Sequence, residues 1–237
     1  MKYLLIIICV FAFSCDFVVG KQEKGNGTIE TKAFNLNDFE EVSVSGSFDV
    51  ELTQGPEYKV ELETDANLTQ YIEINKKGKT LVISEQDGFN LRPSKNSKVR
   101  VTMPHVYDIA ITGSGDIKTT SDFTETEKVD ISITGSGDAT LGIKAPKVDA
   151  SITGSGTARV SGSTKDQSIS ITGSGDYFGQ ELLSENATVS IGGSGTAKLF
   201  ASVKLDVSIG GAGDVYYKGS PAISKSIGGS GSVQPLK

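Results

Sequence analysis

Ile133-Thr134-Gly135-Ser136-Gly137-Asp138 is one of seven closely similar hexapeptides in the second half of this 237-residue chain. The others begin at Ile111, Ile152, Ile171, Ile191, Ile209 and Ile227. Their first glycines are Gly113, Gly135, Gly154, Gly173, Gly193, Gly211 and Gly229, with successive spacings of 22, 19, 19, 20, 18 and 18 residues. A period near 20 that carries a strand in each unit is the range of solenoids and β-helices.

Aligning the copies gives columns. Two residues before the first glycine every copy has isoleucine: Ile111, Ile133, Ile152, Ile171, Ile191, Ile209 and Ile227. Four before it stand Ile109, Ile131, Ala150, Ile169, Val189, Val207 and Lys225, and six before it Tyr107, Val129, Val148, Gln167, Ala187, Leu205 and Ile223. The positions between are mostly Asp, Ser and Thr, so the pattern alternates with period two, as in a strand with one buried face. Stacked at the usual interstrand spacing, seven isoleucines make a column about 29 Å long. Each is worth about 1.5–3 kcal/mol relative to exposure. The expected fold is therefore all-β: a β-solenoid of stacked rungs of 18–22 residues. Lys225 ends its column in the last rung, where a charge would protect an open β edge from pairing with another chain.

The Gly-Ser-Gly turn allows positive φ and a close approach of neighbouring rungs. Ser114, Ser136, Ser155, Ser174, Ser194 and Ser230 are placed to form a hydroxyl ladder there, with Ala212 its one break. The next column, Asp116, Asp138, Thr157, Asp176, Thr196, Asp214 and Ser232, is the candidate surface ladder. Aspartates stacked without interruption would repel one another, and the interleaved Thr and Ser relieve this, as at a solvated corner. Gly210-Gly211-Ala212-Gly213-Asp214 resembles a calcium-binding repeat, but its Asp directly follows the last glycine and three of the seven copies lack Asp. Hard cations want six or more oxygens, so the expectation is no metal and no cofactor. By alternation, Tyr177 and Tyr217 point inward, leaving Phe178 and Tyr216 as the candidate exposed aromatics.

Residues 35–103 form a less regular, β-rich N-terminal part, followed by the repeat part at 104–237. Residues 42–50 fit the rung template with Phe48 at the second glycine, and read as a degenerate first rung. Strands are expected at 58–63, 71–75 and 81–85, the last two joined by a hairpin through Lys76-Lys77-Gly78-Lys79. Asn67-Leu68-Thr69 reads as a turn or short helical bend.

Residues 1–20 read as a signal segment. A short positive start is followed by an apolar run of about ten residues, half of what a bilayer span needs. Ser14-Cys15 after that run is placed for lipoprotein processing, with Cys15 lipidated. Ordinary cleavage after Gly20 is the alternative. Residues 21–34 then read as a polar tether. Both cysteines, Cys9 and Cys15, lie in the signal segment, so the remaining domain relies on packing and backbone hydrogen bonds. The net charge of −6 argues against nucleic acid, whose phosphates require a basic surface.

No catalytic constellation is read. The one histidine, His105, has no His or Cys neighbour and reads as structural. No serine has a nucleophile-elbow context. The Gly-Ser-Gly turns lack the lysine and the strand-to-helix transition of a phosphate loop. Asp149 and Lys147 read as ordinary solvated charges.

The stretch from Phe39 to Gly55, FEEVSVSGSFDVELTQG, together with Val101-Thr102-Met103-Pro104 and Ile109-Ala110-Ile111-Thr112-Gly113-Ser114-Gly115-Asp116, resembles the bacterial DUF2807 family, named for an auto-transporter adhesin head GIN domain. The resemblance covers about residues 35–232. It implies a β-solenoid in exported proteins, often lipoproteins, and supplies no site residues. The expected function is an exported, lipid-anchored binding or adhesion module of the cell envelope, engaging a surface polymer, glycan or protein. The alternatives are a structural or self-associating envelope protein and, third, a polysaccharide-active β-helix enzyme.

Overall fold

The computed structural model describes residues 20–236, and the expectations for residues 1–19, including the signal segment and Cys15, lie outside them. The chain is a β-solenoid of about six turns with a less regular N-terminal part.

The motif strands stack in parallel and in register. Glu41–Gly46, Asp108–Gly113 and Val129–Gly135 pair in sequence, and the series continues through the later copies to Ala222–Ile227. The isoleucine column runs as expected, and the structure lengthens it. Val44 pairs with Ile111, and Ile83 pairs with Val44. The degenerate rung is thus a real coil, with Phe48 buried at the stack's end.

A coil closes because its alternation slips at fixed places. In Asp138–Gly154, Leu141, Gly142 and Ile143 are buried in succession, while Pro146 and Lys147 are exposed in succession. With the Gly-Ser-Gly corner these slips let the chain turn back on itself. It returns beside itself 19 residues later, and Asp138↔Thr157 through Gly154↔Gly173 pair along almost the whole coil. The corner depends on absent side chains. At Gly154 φ is +116°, and a Cβ there would press into the Gly135 carbonyl. The last three copies turn differently: Gly193, Gly211 and Gly229 are not in positive φ, and a preceding glycine opens each corner.

Inward polar residues have partners. Gln167, in an inward column, is buried. It accepts from the Tyr177 hydroxyl at 3.0 Å and donates to Ser184 Oγ and the Phe200 carbonyl, each at 2.8 Å. Tyr177 in turn fills the space where Gly179 lacks a Cβ. Burial pushes the Tyr177 hydroxyl well above its usual range, so it stays a donor. Tyr107 differs from its expected inward place: it is half-exposed, and Val106 takes the core position beside it.

The N-terminal end is closed by antiparallel strands. Lys59–Asp65 lies between Ile29–Phe34 and Lys98–Met103, and Ile72–Lys77 forms the expected hairpin with Thr80–Glu85. The short helical bend is a 3-10 turn at Thr69–Tyr71. Residues 21–34, read as a tether, are ordered differently. Lys21–Lys24 pairs in parallel with Phe89–Arg92, and Ile29–Phe34 joins the cap. Their composition is polar because they are edge strands exposed on both faces, and the pairing is long-range, which local patterning does not reveal.

Asp65 pins this segment. Its side chain accepts from the Gly27 N–H at 2.6 Å and from the Ser94 N–H and Oγ, each at 2.8 Å. Burial alone would push its carboxyl up, but these donors outweigh it and hold the group below the usual carboxylate range. At the other end, no strand among the described residues covers Ala222–Ile227. Ile223 and Ile227 are 41% and 37% exposed, with Lys225 between them.

Four substitutions have expected outcomes. Gly154→Ala should cost about 3 kcal/mol, from the strained φ and the carbonyl contact. At this size that is about 6–12 °C in melting temperature. Gly27→Ala, with φ +81° but nothing near its Cβ, should cost only about 1 kcal/mol. Asp65→Asn should lower stability by about 2 kcal/mol at neutral pH. Because the native carboxyl is depressed, its contribution is present above the ordinary aspartate value and lost on acidification. The gap between wild type and variant in urea unfolding should therefore narrow below about pH 4. Lys225→Ile should join the two exposed isoleucines into one apolar edge and raise concentration-dependent association above wild type in sedimentation velocity.

Candidate functional site

The candidate ladder residues occupy one column along the solenoid. Asp49↔Asp116, Asp138↔Thr157, Thr157↔Asp176, Asp176↔Thr196, Thr196↔Asp214 and Asp214↔Ser232 are paired neighbours. Their carboxylates face along the axis. Oδ1 of Asp116, Asp138, Asp176 and Asp214 accepts the backbone N–H of the next coil's column residue, at 3.1, 3.0, 2.9 and 2.9 Å. Each of these four aspartates thus ties its coil to the next; above Asp138, Asp176 and Asp214 a Thr or Ser completes the tie without adding charge, and above Asp116 stands Asp138. Among the described residues no cluster of three or more His, Cys, Asp or Glu is arranged to hold a metal.

The serine corner is held by backbone. The Ser136 N–H donates to the Gly113 carbonyl at 2.8 Å, and Ser155, Ser174 and Ser194 repeat the bond one coil at a time, also at 2.8 Å. Ala212 makes it as well, at 3.0 Å, so losing the hydroxyl there breaks nothing. No hydrogen bond joins the serine hydroxyls among the described residues, in contrast to the expected hydroxyl ladder.

Two residues beyond the aspartate column, on the same outward face, runs a column that sequence reading caught only in part. It comprises Glu51, Lys118, Thr140, Arg159, Phe178, Lys198, Tyr216 and Gln234, each paired with the next. Phe178 and Tyr216 are half-buried, not fully exposed. The Arg159 guanidinium lies 5.2 Å from the Phe178 ring centroid. The Lys198 ammonium lies 5.3 Å from the same ring and 5.9 Å from that of Tyr216. Cations from the coils on either side therefore occupy the Phe178 ring.

Two concavities open on this face. One of about 300 Å³ is lined by Asp49, Glu51, Asn96, Lys98, Asp116 and Lys118 among others. In it, Glu51 is 3.2 Å from both Lys98 and Lys118 and 3.5 Å from Arg100. Burial would raise the Glu51 carboxyl, but the two lysines hold it below its usual value. The second, of about 270 Å³, includes Thr140, Arg159, Ser161, Phe178, Gln180 and Glu181.

His105 has a partner that no local pattern predicts. Its Nδ1 is 2.9 Å from Glu125 Oε2, and Glu125 Oε1 accepts the Val106 N–H at 3.0 Å. The Glu125 side chain is fully buried and His105 stacks on Tyr107 with ring centroids 5.8 Å apart. Both carboxylate oxygens hold the junction between the N-terminal part and the repeats, a positioning role. Lys147 and Lys128 share Asp149 at 2.9 and 3.5 Å, an exposed ion cluster of small energetic weight.

The fold has close structural relatives. A "putative adhesin" from Bacteroides fragilis superposes with a TM-score of 0.85 at 22% identity, over 90% of this chain and 100% of its own. A "putative lipid binding protein" from Parabacteroides distasonis gives 0.75 at 26% identity, covering 92% and 100%. A "putative adhesin" from Parabacteroides merdae gives 0.71 at 22%, covering 92% and 100%. Among curated proteins none matches. The family described as "putative auto-transporter adhesin, head GIN domain" matches residues 38–221, and so spans the antiparallel cap apart from Ile29–Phe34 and nearly all of the stacked coils. On that match the chain belongs to the DUF2807 family.

Proposed function

We propose that this protein is an exported binding or adhesion module of the bacterial envelope, held to a membrane through a lipid on Cys15. It holds a surface polymer or partner without transforming it. The observation that carries this reading is the outward face with its two parallel columns. Aspartate, threonine and serine lie beside a row of cations and aromatics, repeated at the coil spacing of about 4.8 Å. Such a face offers many equivalent weak contacts along one line, which suits an extended partner and gains by multivalency. The two relatives named as adhesins support the binding role. The relative named as lipid-binding does not favour an acyl chain inside this protein, whose inward columns are filled by packed side chains. A second reading, self-association, draws on the uncovered Ile223 and Ile227.

Beads coated with the protein test this reading against isolated envelope polysaccharides and host mucins. Retention should exceed that of beads coated with an unrelated β-solenoid, and Lys118→Glu with Arg159→Glu and Lys198→Glu should cut it at least tenfold with the melting temperature preserved. Metabolic labelling with an alkyne fatty acid should mark the wild-type chain and not Cys15→Ala. Retention equal to the control would sink the binding reading, and an unlabelled chain beginning at Lys21 would sink the anchor.

A further inference from the structure

We infer that the concavity beside Phe178 is a subsite for a neutral pyranose residue of a glycan, recognised by Arg159, Gln180 and the edge of the Phe178 ring. The inference rests on the binding reading above and names its ligand class. Its first support is a break in the repeat. Asp176–Leu183 pairs with the coil before it as Arg159↔Phe178 and then Ser161↔Glu181, so Val160 alone faces Gly179 and Gln180. A bulge of this kind turns side chains off the regular ladder and is over-represented beside functional sites. Here it hollows the face by about 270 Å³ between Thr140, Ser161, Phe178 and Gln180.

The second support is an orphaned acceptor. Gln180 Oε1 is buried and has no hydrogen-bond partner. Leaving such an atom unpaired is costly, and a native protein keeps one for a reason. Gln180 lines the hollow, and a turn of its amide toward that space lets a ligand hydroxyl supply the missing donor. Arg159 supplies the complementary donors, its guanidinium held over the Phe178 ring at 5.2 Å.

Charge decides between neutral and acidic sugars. Arg159 lies 3.5 Å from Asp138, and Glu181 is 3.0 Å from Lys218. Each charge at the rim is already offset, and the whole chain carries −6. A carboxylate would meet no uncompensated cation among the groups lining the hollow, whereas hydroxyls both donate to Oε1 and accept from the guanidinium. Both faces of the Phe178 ring carry cations, so the sugar meets the ring edge and the guanidinium plane.

The test is nuclear magnetic resonance titration of the purified full-length chain with oligosaccharides of glucose, mannose, galactose and N-acetylglucosamine, with oligogalacturonate as the acidic arm. At least one neutral oligosaccharide should shift the Gln180 side-chain amide and the Arg159 Nε–H, with an affinity unchanged by added salt. Arg159→Ala should weaken it at least tenfold. Gln180→Leu should do the same while melting at the same temperature or higher, because it removes an unpaired buried acceptor. A merely structural glutamine would instead lose stability and leave binding intact. If coated beads are retained but no neutral oligosaccharide moves these signals, or oligogalacturonate alone does, the subsite is overturned and the adhesion reading stands. If the beads are not retained and nothing shifts, both fall.

Discussion

Parallel coils about 4.8 Å apart impose one condition on everything else: whatever occupies a position must tolerate its own kind directly above and below. Buried isoleucine meets the condition by packing, and the interior becomes columns of like residues. At the tight corner even a methyl group fails, because a Cβ on Gly135, Gly154 or Gly173 would run into the glycine carbonyl one coil earlier. The same carbonyl accepts the N–H of the corner's Ser or Ala. Glycine is therefore required by its neighbouring coil, and each copy enforces the next.

Charge meets the condition less easily. The aspartate column solves it by turning each carboxylate toward the backbone N–H above, so the charge is spent on a hydrogen bond between coils. Hydrogen bonds to a charged acceptor are the stronger kind, and they hold the outer edge of a stack whose inner edge is held by apolar packing. Lys225 shows the converse. It stands where Val207 stands one coil earlier, and only the open end has water enough for it.

The solenoid was legible because its information is local and repeated: alternation, period and the glycine pair all lie within one copy. The antiparallel closure was not. Ile29–Phe34 pairs with residues 26 to 36 positions away, and an exposed edge strand looks like any polar segment. The role of the aspartate column was not readable, since the N–H that each of these carboxylates accepts belongs to another copy. The Phe178–Tyr216 pair was read as exposed because side-chain alternation gives direction only. Arg159 and Lys198 become their neighbours through coil register, which no single copy contains. Glu125 was missed for the same reason, as nothing within its own stretch marks it as the partner of His105.

Regularity explains stability but cannot by itself select a ligand, because identical coils present identical groups and no position is preferred. Selection needs a coil that differs. In this stack the coil containing Asp176–Leu183 departs in several linked ways: an extra residue in the bulge, a tyrosine in the core over Gly179, and a glutamine with an unpaired acceptor. The inner change is fully compensated, since Tyr177 and Gln167 satisfy each other. The outer change is not. Random drift in a repeat would be expected to leave uncompensated groups on both sides of the sheet. Here the interior is repaired, whereas the unmet hydrogen bond is left on the residue that lines the hollow.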